Sequence, residues 1–383
     1  MGANSTGPSP TLSVVIAGGG TGGHLYPGIA VAQEILRRDS AARVTFAGTS
    51  QGLEARAVPT AGFELDVIRS AGLKGKSFRS RLRGAGLILP SLWDAWRVIS
   101  RRRPDVVIGV GGYSSGPVVL AAALRRVPTL VLEQNAVPGL TNRLLARVVR
   151  AAAVTYEQTL TFFGGRGIVA GNPVRSEFFT ADTRPPARGS GDRAMRVLIL
   201  GGSQGAHAIN MAVVAAAAEL VRRHPGLDLV HQTGARDEAA IRQEYAALGI
   251  RARAERFLDP VVPEMMAADL VICRAGATTL AELAVLGRPA VLVPFPAAAD
   301  DHQRKNAAVV AGTGAAVVLD ERELTPERLT DVMSPLLDDP AQLASMGAAM
   351  RSLARPDAAE RIVDCMFRLA GRPVATASVG GLR

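Results

Sequence analysis

Two short apolar runs in this chain each stop at a cluster of glycines and resume as a helix-forming segment. Val197 to Leu200 ends at Gly201-Gly202, followed by Ser203-Gln204-Gly205-Ala206-His207 and an alanine-rich stretch to Arg223. Leu12 to Ala17 ends at Gly18-Gly19-Gly20-Thr21-Gly22-Gly23-His24, and Pro27 to Arg37 has helical character. A buried strand, a tight turn and a helix start, in that order, are the grammar of a Rossmann-like unit. A helix start carries unpaired N–H groups and partial positive charge, which suits phosphate. One such turn says little. Two of them, in opposite halves of the chain and each closed by a histidine, predict two Rossmann-like domains facing a shared cleft. The alternative is turn glycines that serve no ligand.

The rest of the chain agrees with an α/β class. Strands are predicted at Leu12–Ala17, Val44–Ala47, Phe63–Ile68, Asp105–Val110, Thr129–Leu132 and Ala151–Val154. A second set follows at Arg196–Leu200, Asp228–Gln232, Arg253–Phe257, Leu270–Cys273, Ala290–Val293 and Ala315–Val318. Helical segments between them argue for parallel sheets covered on both faces. At 383 residues two domains are the natural division. The predicted boundaries are 11–173 and 174–352, with a helix over 353–371 that could pack back on the first domain. Tails are predicted at 1–10 and 372–383, and a linker with an exposed loop over 180–194. After Leu319 the chain reads as helical to Ala370. Ligands of open α/β sheets sit at the carboxyl ends of strands. Gly109 to Pro117 and Glu133-Gln134-Asn135 lie there, as do the two glycine turns.

Composition removes several classes. Hydrophobic residues make up 48% of the chain, enough for a core. Cys273 and Cys365 have no metal or redox spacing and read as buried thiols in a reducing compartment. Residues 1–10 lack the charged start and apolar region of a signal peptide, and no apolar run is long enough to span a membrane. The net charge of +10 is concentrated. Between Arg69 and Arg103 stand ten basic residues, including Arg79, Arg81 and Arg83, against one acid, Asp94. The same window holds Leu89, Leu92, Trp93, Trp96 and Ile99, with Leu92, Trp96 and Ile99 on one helical face. An ordinary core helix with a solvated basic face is one reading, and nucleic acid another. Basic residues flanking an aliphatic and aromatic stripe best fit an anionic membrane surface, docked through Leu89, Leu92, Trp93 and Trp96 with Arg79, Arg81 and Arg83.

Gly18 to Gly23 satisfies the dinucleotide pattern, but the strand after it ends in Gly48-Thr49-Ser50 with no acid for a ribose. No P-loop is present either, so neither a nicotinamide cofactor nor ATP hydrolysis is expected. His24 stands where a helix begins; it can act as a base toward a hydroxyl, or cap and brace the loop. Glu282, about one turn into a helix after Cys273-Arg274-Ala275-Gly276-Ala277-Thr278-Thr279, can accept both hydroxyls of a ribose or stabilise a helix dipole. Asp300-Asp301-His302 invites a metal, yet the acids are adjacent and no second ligand cluster stands out. Groups that read sugar hydroxyls fit better.

Taken together these motifs resemble the MurG family. They are Gly19 to His24, Gly111 to Pro117, Glu133-Gln134-Asn135, Gly171-Asn172-Pro173-Val174-Arg175, Gly201 to Ala206, Cys273 to Ala277, and Asp301-His302-Gln303 with Asn306-Ala307, in family order over nearly the whole chain. The resemblance implies a two-domain GT-B fold and an inverting transferase without an obligatory metal or other cofactor. Such an enzyme moves N-acetylglucosamine from UDP-GlcNAc to lipid I, making lipid II at the cytoplasmic face of the membrane. It implies that Ser203, Gln204 and their turn hold the diphosphate. Leu258 would meet uracil through its backbone, Arg175 the nucleotide side, and Glu282 the ribose. Ala277, Thr278, Thr279 and Gln303 would read the sugar, with Thr21, Gly22, Gly23 and Asn135 reaching it from the first domain. His24 would be the base or transition-state stabiliser. Thr278 replaces a commonly apolar residue, which matters only if its side chain makes the contact. Rival readings are a nucleotide-sugar epimerase or another lipid-linked transferase of this fold, and a non-catalytic nucleotide-sugar-binding subunit.

Overall fold

Every apolar run predicted as a strand is one, and every strand is parallel to its neighbours. The computed structural model describes residues 11–70, 88–180, 194–202 and 205–374. The chain forms two units. The first takes the described residues of Met1–Gln134, Pro138–Pro173 and Asp357–Arg383; the second takes those of Asn135–Val137 and Val174–Pro356.

The first unit runs β1 (Ser13–Gly18), α1 (Gly22–Arg38), β2 (Arg43–Gly48), α2 (Glu54–Thr60), β3 (Glu64–Val67), α3 (Ile88–Arg102), β4 (Val106–Gly111), α4 (Ser115–Leu124), β5 (Thr129–Glu133), α5 (Leu140–Leu145), β6 (Ala151–Val154) and β7 (Gly167–Val169). The sheet order is β3-β2-β1-β4-β5-β6-β7. Val14 is flanked by Val44 and Val106. These central strands are apolar along their length because helices cover both faces, so neither face selects polar residues. One face carries Ile16, Phe46, Ile108 and Leu130. The other carries Val15, Val107 and Val131 against Ala95, Val98 and Ile99 of α3.

The second unit runs α6 (Glu177–Thr180), β8 (Arg196–Leu200), α7 (His207–Arg223), β9 (Asp228–Gln232), α8 (Glu238–Ala247), β10 (Ala252–Glu255), α9 (Val262–Ala267), β11 (Leu270–Cys273), α10 (Ala277–Leu286), β12 (Ala290–Leu292), α11 (His302–Ala311), β13 (Ala316–Val318), α12 (Pro326–Asp338) and α13 (Pro340–Ser352). Its sheet order, β10-β9-β8-β11-β12-β13, repeats the first six positions of the seven-stranded first sheet. In each sheet the order reverses beside the first strand, between β1 and β4 and between β8 and β11. That is where an open α/β sheet leaves a crevice for a ligand.

Two expectations are corrected. The stretch after Leu319 is not one helical run. Pro340 starts a new helix whose first turn is capped by the Asp339 carboxylate, which accepts from the N–H groups of Ala341 and Gln342. A second break at 353–357 precedes α14 (Ala358–Leu369), which belongs to the first unit. Its Ile362, Val363, Met366 and Phe367 share a core with Leu25, Ile29 and Ile35, and Asp364 pairs with Arg38 of α1. Strand β7 was not anticipated, because three residues carry too little pattern. Cys273 and Cys365 are both buried free thiols.

Candidate active site

In the first unit the turns after β1 and β4 pack backbone on backbone. The register shifts at Ala17, so that Gly18 lies beside Gly111. A Cβ on Gly18 would stand 2.5 Å from the Gly111 carbonyl oxygen, and one on Gly112 would stand 2.5 Å from that of Gly19. Gly111 has φ +99°, and a Cβ there would meet the His24 ring 2.6 Å from Cδ2. On its other edge the His24 Nδ1 is 3.3 Å from the Thr21 hydroxyl. Thr21 occupies the N-cap of α1 without bonding the helix amides through its side chain. The imidazole is therefore held in place by Thr21 and Gly111, beside Gly22 and Gly23.

Beneath this turn lies a carboxylate that sequence reasoning missed. Glu54, the first residue of α2, is 1% exposed. Its Oε2 accepts from the Gly20 N–H at 2.7 Å. Its Oε1 accepts from the Thr49 N–H at 2.9 Å and the Thr49 hydroxyl at 2.7 Å. Burial pushes the carboxyl up, but the bonds from Gly20 and Thr49 outweigh it and hold it below its ordinary value. A dinucleotide-binding unit carries a ribose acid at the end of its second strand. Here an acid does reach that place, from six residues past Gly48, and it turns inward to the glycine turn. The only signal in the sequence is a pair of glycines, 48 and 52, shortly before the acid.

The Glu133-Gln134 pair is structural. The buried Glu133 carboxylate accepts from Gly139 N–H and Asn142 Nδ2, at 3.1 and 2.8 Å. Gln134 Nε2 donates to the Val110 carbonyl at the end of β4. Asn135 counts with the second unit, where its Oδ1 accepts from Asn306 Nδ2 at 3.1 Å.

In the second unit Gly201 and Gly205 again pack where a side chain would strike backbone, 2.9 Å from the Gln232 carbonyl oxygen and 2.8 Å from that of Thr233. Ser203 and Gln204 lie outside the described residues. Behind the start of α7 runs a buried polar chain that sequence reasoning also missed. Asn210 Nδ2 donates to Asp237, which also faces His207 Nδ1 at 3.1 Å. Asn210 Oδ1 is 3.0 Å from His231 Nε2, and His231 Nδ1 is 3.0 Å from the Tyr245 hydroxyl. Because Asn210 Oδ1 only accepts, Nε2 carries the His231 proton and Tyr245 donates to Nδ1. Burial brings His231 down to about 4, so it is neutral.

Leu258 is buried and its N–H donates to Gln232 Oε1 at 3.1 Å. Gly276 precedes α10 and brings no capping side chain to the amides of Ala277, Thr278 and Thr279. Glu282 is the sixth residue of α10, beyond its first turn, so dipole stabilisation does not explain it. It is buried, with Oε1 3.3 Å from Arg175 Nη2. Burial raises it to about 7, with Arg175 pulling the other way. Gln303 Oε1 accepts from the Phe295 N–H at 2.9 Å, which fixes its amide. Asp300 and Asp301 both have positive φ, 54° and 56°. Among the described residues no group of three or more His, Cys, Asp or Glu is placed to share a metal ion.

On α3 the predicted stripe divides. Ile99 is buried in the core with Ala95 and Val98, and Leu92 is half-buried. Leu89, Trp93 and Trp96 face out, at 78%, 62% and 43% exposure. With Arg69, Pro90 and Leu92 they line an open groove of about 590 Å³. The basic window is partly neutralised: Arg69 pairs with Asp94, and Arg101 and Arg102 with Asp66. Arg79, Arg81 and Arg83 lie outside the described residues. No helix among the described residues is long and apolar enough to cross a membrane.

Two Rossmann-like units, each with a glycine turn at its switch point, place the chain in the GT-B fold class. Residues 14–154 match the glycosyltransferase family 28 N-terminal domain and residues 196–362 its C-terminal domain. The chain is 46% identical over 346 residues, 90% of each protein, to the UDP-N-acetylglucosamine--N-acetylmuramyl-(pentapeptide) pyrophosphoryl-undecaprenol N-acetylglucosamine transferase of Anaeromyxobacter sp. (strain K). It is 42% identical over 347 residues to the protein of that name from Geobacter sulfurreducens, covering 90% of this chain and 95% of the other. Acinetobacter baumannii MurG superposes with a TM-score of 0.76 at 31% identity, over 93% of this chain and 99% of that one. A UDP-GlcNAc 2-epimerase from Neisseria meningitidis, 13% identical with a TM-score of 0.66, shares the fold alone; 94% of this chain and 100% of that one are covered. The chain belongs to glycosyltransferase family 28 and, within it, to the MurG family.

Proposed function

We propose that this protein transfers N-acetylglucosamine from UDP-GlcNAc to the 4-hydroxyl of the muramyl sugar of an undecaprenyl-diphosphate-linked acceptor, with inversion, giving the disaccharide lipid precursor of peptidoglycan. The observation that carries this reading is the match along 90% of the chain to transferases named for that donor and acceptor. The second unit takes the donor. Arg175 and Glu282 serve the nucleotide, with the carboxylate accepting from the ribose. The Leu258 carbonyl meets uracil. Ala277, Thr278, Thr279 and Gln303 read the sugar. The turn from Gly201 to Ala206, with Ser203 and Gln204, takes the charge of the departing diphosphate onto main-chain amides.

The first unit takes the acceptor, with Thr21, Gly22 and Gly23 on the transferred sugar; Asn135, expected beside them, counts with the second unit and reads the sugar from there. His24 removes the proton of the attacking hydroxyl or stabilises the charge that forms there. Its bracing by Thr21 and Gly111 supports the role, since a base needs a fixed approach. The outward face of α3 docks on an anionic membrane at the cytoplasmic side, where the lipid-linked acceptor resides. Exposed Leu89, Trp93 and Trp96 support this, because tryptophan favours the membrane interface.

The test is labelled UDP-GlcNAc with a lipid I analogue, with and without chelator. Label appears in the lipid product only when the acceptor is present. Turnover of the donor alone would instead establish an epimerase, and donor binding without turnover in either condition a non-catalytic subunit.

A further inference from the structure

Glu54 is a buried carboxylate with no part in the roles assigned above. Three glycines enclose it. A Cβ on Gly19 or Gly52 would fall on the carboxylate itself, and one on Gly48 would stand 2.7 Å from its Cγ. Four donors surround it: the Gly20 N–H on one oxygen, the Thr49 N–H and hydroxyl on the other, and the N–H of Glu54 itself. None is a cation. The charge is therefore held by the ends of two loops, the turn after β1 and the turn after β2, and it ties one to the other. In a dinucleotide-binding turn, glycine amides wait for a phosphate. Here the Gly20 amide is already occupied by the protein's own anion, which also disfavours a second anion at that point.

We infer that Glu54 is a positioning residue for the transfer reaction: its carboxylate, rather than a ligand's phosphate, sets the Gly18–Gly20 turn and through it the placement of Thr21 and His24. The chain of contact is short. Gly20 immediately precedes Thr21, whose hydroxyl lies against His24 Nδ1. Gly19 is pressed on Gly112, next to the Gly111 that backs the His24 ring. A turn fixed in this way is organised before substrate arrives, and the acceptor meets a hydroxyl and an imidazole already in place.

The inference rests on the proposed transferase reading, and the test separates the two. Glu54→Gln keeps the volume but supplies one acceptor oxygen where two are used, so its amide N–H must oppose either Gly20 or Thr49. Its kcat is expected to fall about 10- to 100-fold, the range that follows misplacement of a catalytic group by about 1 Å. KM for UDP-GlcNAc should stay near the parent value; the opposed N–H lowers the melting temperature, so kcat is compared well below it, where both proteins are folded. Gly52→Ala reaches the same carboxylate from the opposite side. Gly52 is not among the residues with positive φ, and the atoms nearest to a methyl group there all belong to the Glu54 carboxylate. It should reproduce the same split of kcat against KM. Hydrogen exchange supplies a readout that needs no activity: both variants should speed exchange across 18–24 while leaving the second unit unchanged. Unchanged kcat in Glu54→Gln, a loss of kcat that only tracks unfolding, or unaltered exchange across 18–24 would each overturn the inference. A parent protein without transferase activity would overturn the functional reading, while the exchange result would still decide whether Glu54 sets the turn.

Discussion

Arg175 and Glu282 meet in the second unit at 3.3 Å, yet the arginine does not hold the carboxyl down. Burial raises Glu282 to about 7, and the guanidinium opposes it only in part. Arg175 also pairs with Glu177 through Nη1 at 2.7 Å and lies over the Phe178 ring, so its charge is shared. A carboxyl with no first-turn role, poised to change charge near neutrality, is what a nucleotide-side acceptor needs to be sensitive to its ligand.

If ribose hydroxyls donate to Glu282, UDP binding favours the ionised form and lowers its pKa. Calorimetry in two buffers of different ionisation enthalpy should show proton release at about pH 6.5 and none at about pH 8.5. Glu282→Gln should abolish the difference between buffers. Heats that do not depend on buffer at the lower pH would remove Glu282 from the ribose. The free protein gives a second check. Glu282 moves from 4.5 in the open chain to about 7 in the fold, so the folded state holds the proton more tightly. Its contribution to stability is lost as pH rises from 4.5 to about 7, and Glu282→Gln should flatten that loss.

Gly111→Ala tests the bracing of His24. The new methyl group would meet the imidazole, and φ of +99° is strained for alanine. We expect kcat to fall about 100-fold, as misplacement of a catalytic group by about 1 Å does. KM for UDP-GlcNAc should change less than kcat, because the residues proposed for the nucleotide belong to the other unit. An unchanged kcat would mean that the His24 ring position is irrelevant to the rate.

Leu89 and Trp93, the most exposed large apolar residues of α3, should matter to a membrane and not to the fold. Leu89→Ala with Trp93→Ala is expected to weaken flotation with anionic vesicles about tenfold or more, since burying one large apolar side chain contributes about 1.5–3 kcal/mol. The melting temperature should not change. Trp96→Ala should also cost a little stability, because Arg125 sits 5.0 Å from the centre of its ring. If the double variant floats like the parent, α3 is not the docking surface.

Tyr245→Phe leaves His231 Nδ1 as a buried acceptor without a donor, at an expected cost of about 1–3 kcal/mol in urea denaturation. His231 adds an acid sensitivity. It titrates at 6.5 in the open chain and about 4 in the fold, so the unfolded state binds its proton first. Stability should fall as pH drops through that window, and His231→Asn should make the fall shallower.

The order of strands and glycine turns was legible because buried parallel strands are near-continuous apolar runs, and a chain must break them with glycine to turn into a helix. Arg175, Glu282, Leu258 and Gln303 could be named from motif positions, and the fold gathers all four in one unit. The stripe on α3 was legible only as a period. Which of its apolar residues serve the core depended on the sheet it covers, and that sheet took Ile99 and left Trp93 and Trp96 outside.

What the sequence alone determined is local: apolar period, glycine punctuation and the helix starts that follow, each set by residues a few positions apart. Tertiary structure decided which groups share a space. Glu54 reaches Gly20 across 34 positions, Glu282 reaches Arg175 across 107, and Tyr245 meets a histidine on the strand before its helix. The physical reason is that burial and partnership set the charge of an acid. A carboxyl enclosed by amide donors is held low, and one enclosed by carbon beside a shared arginine is raised, though both are buried glutamates on helices.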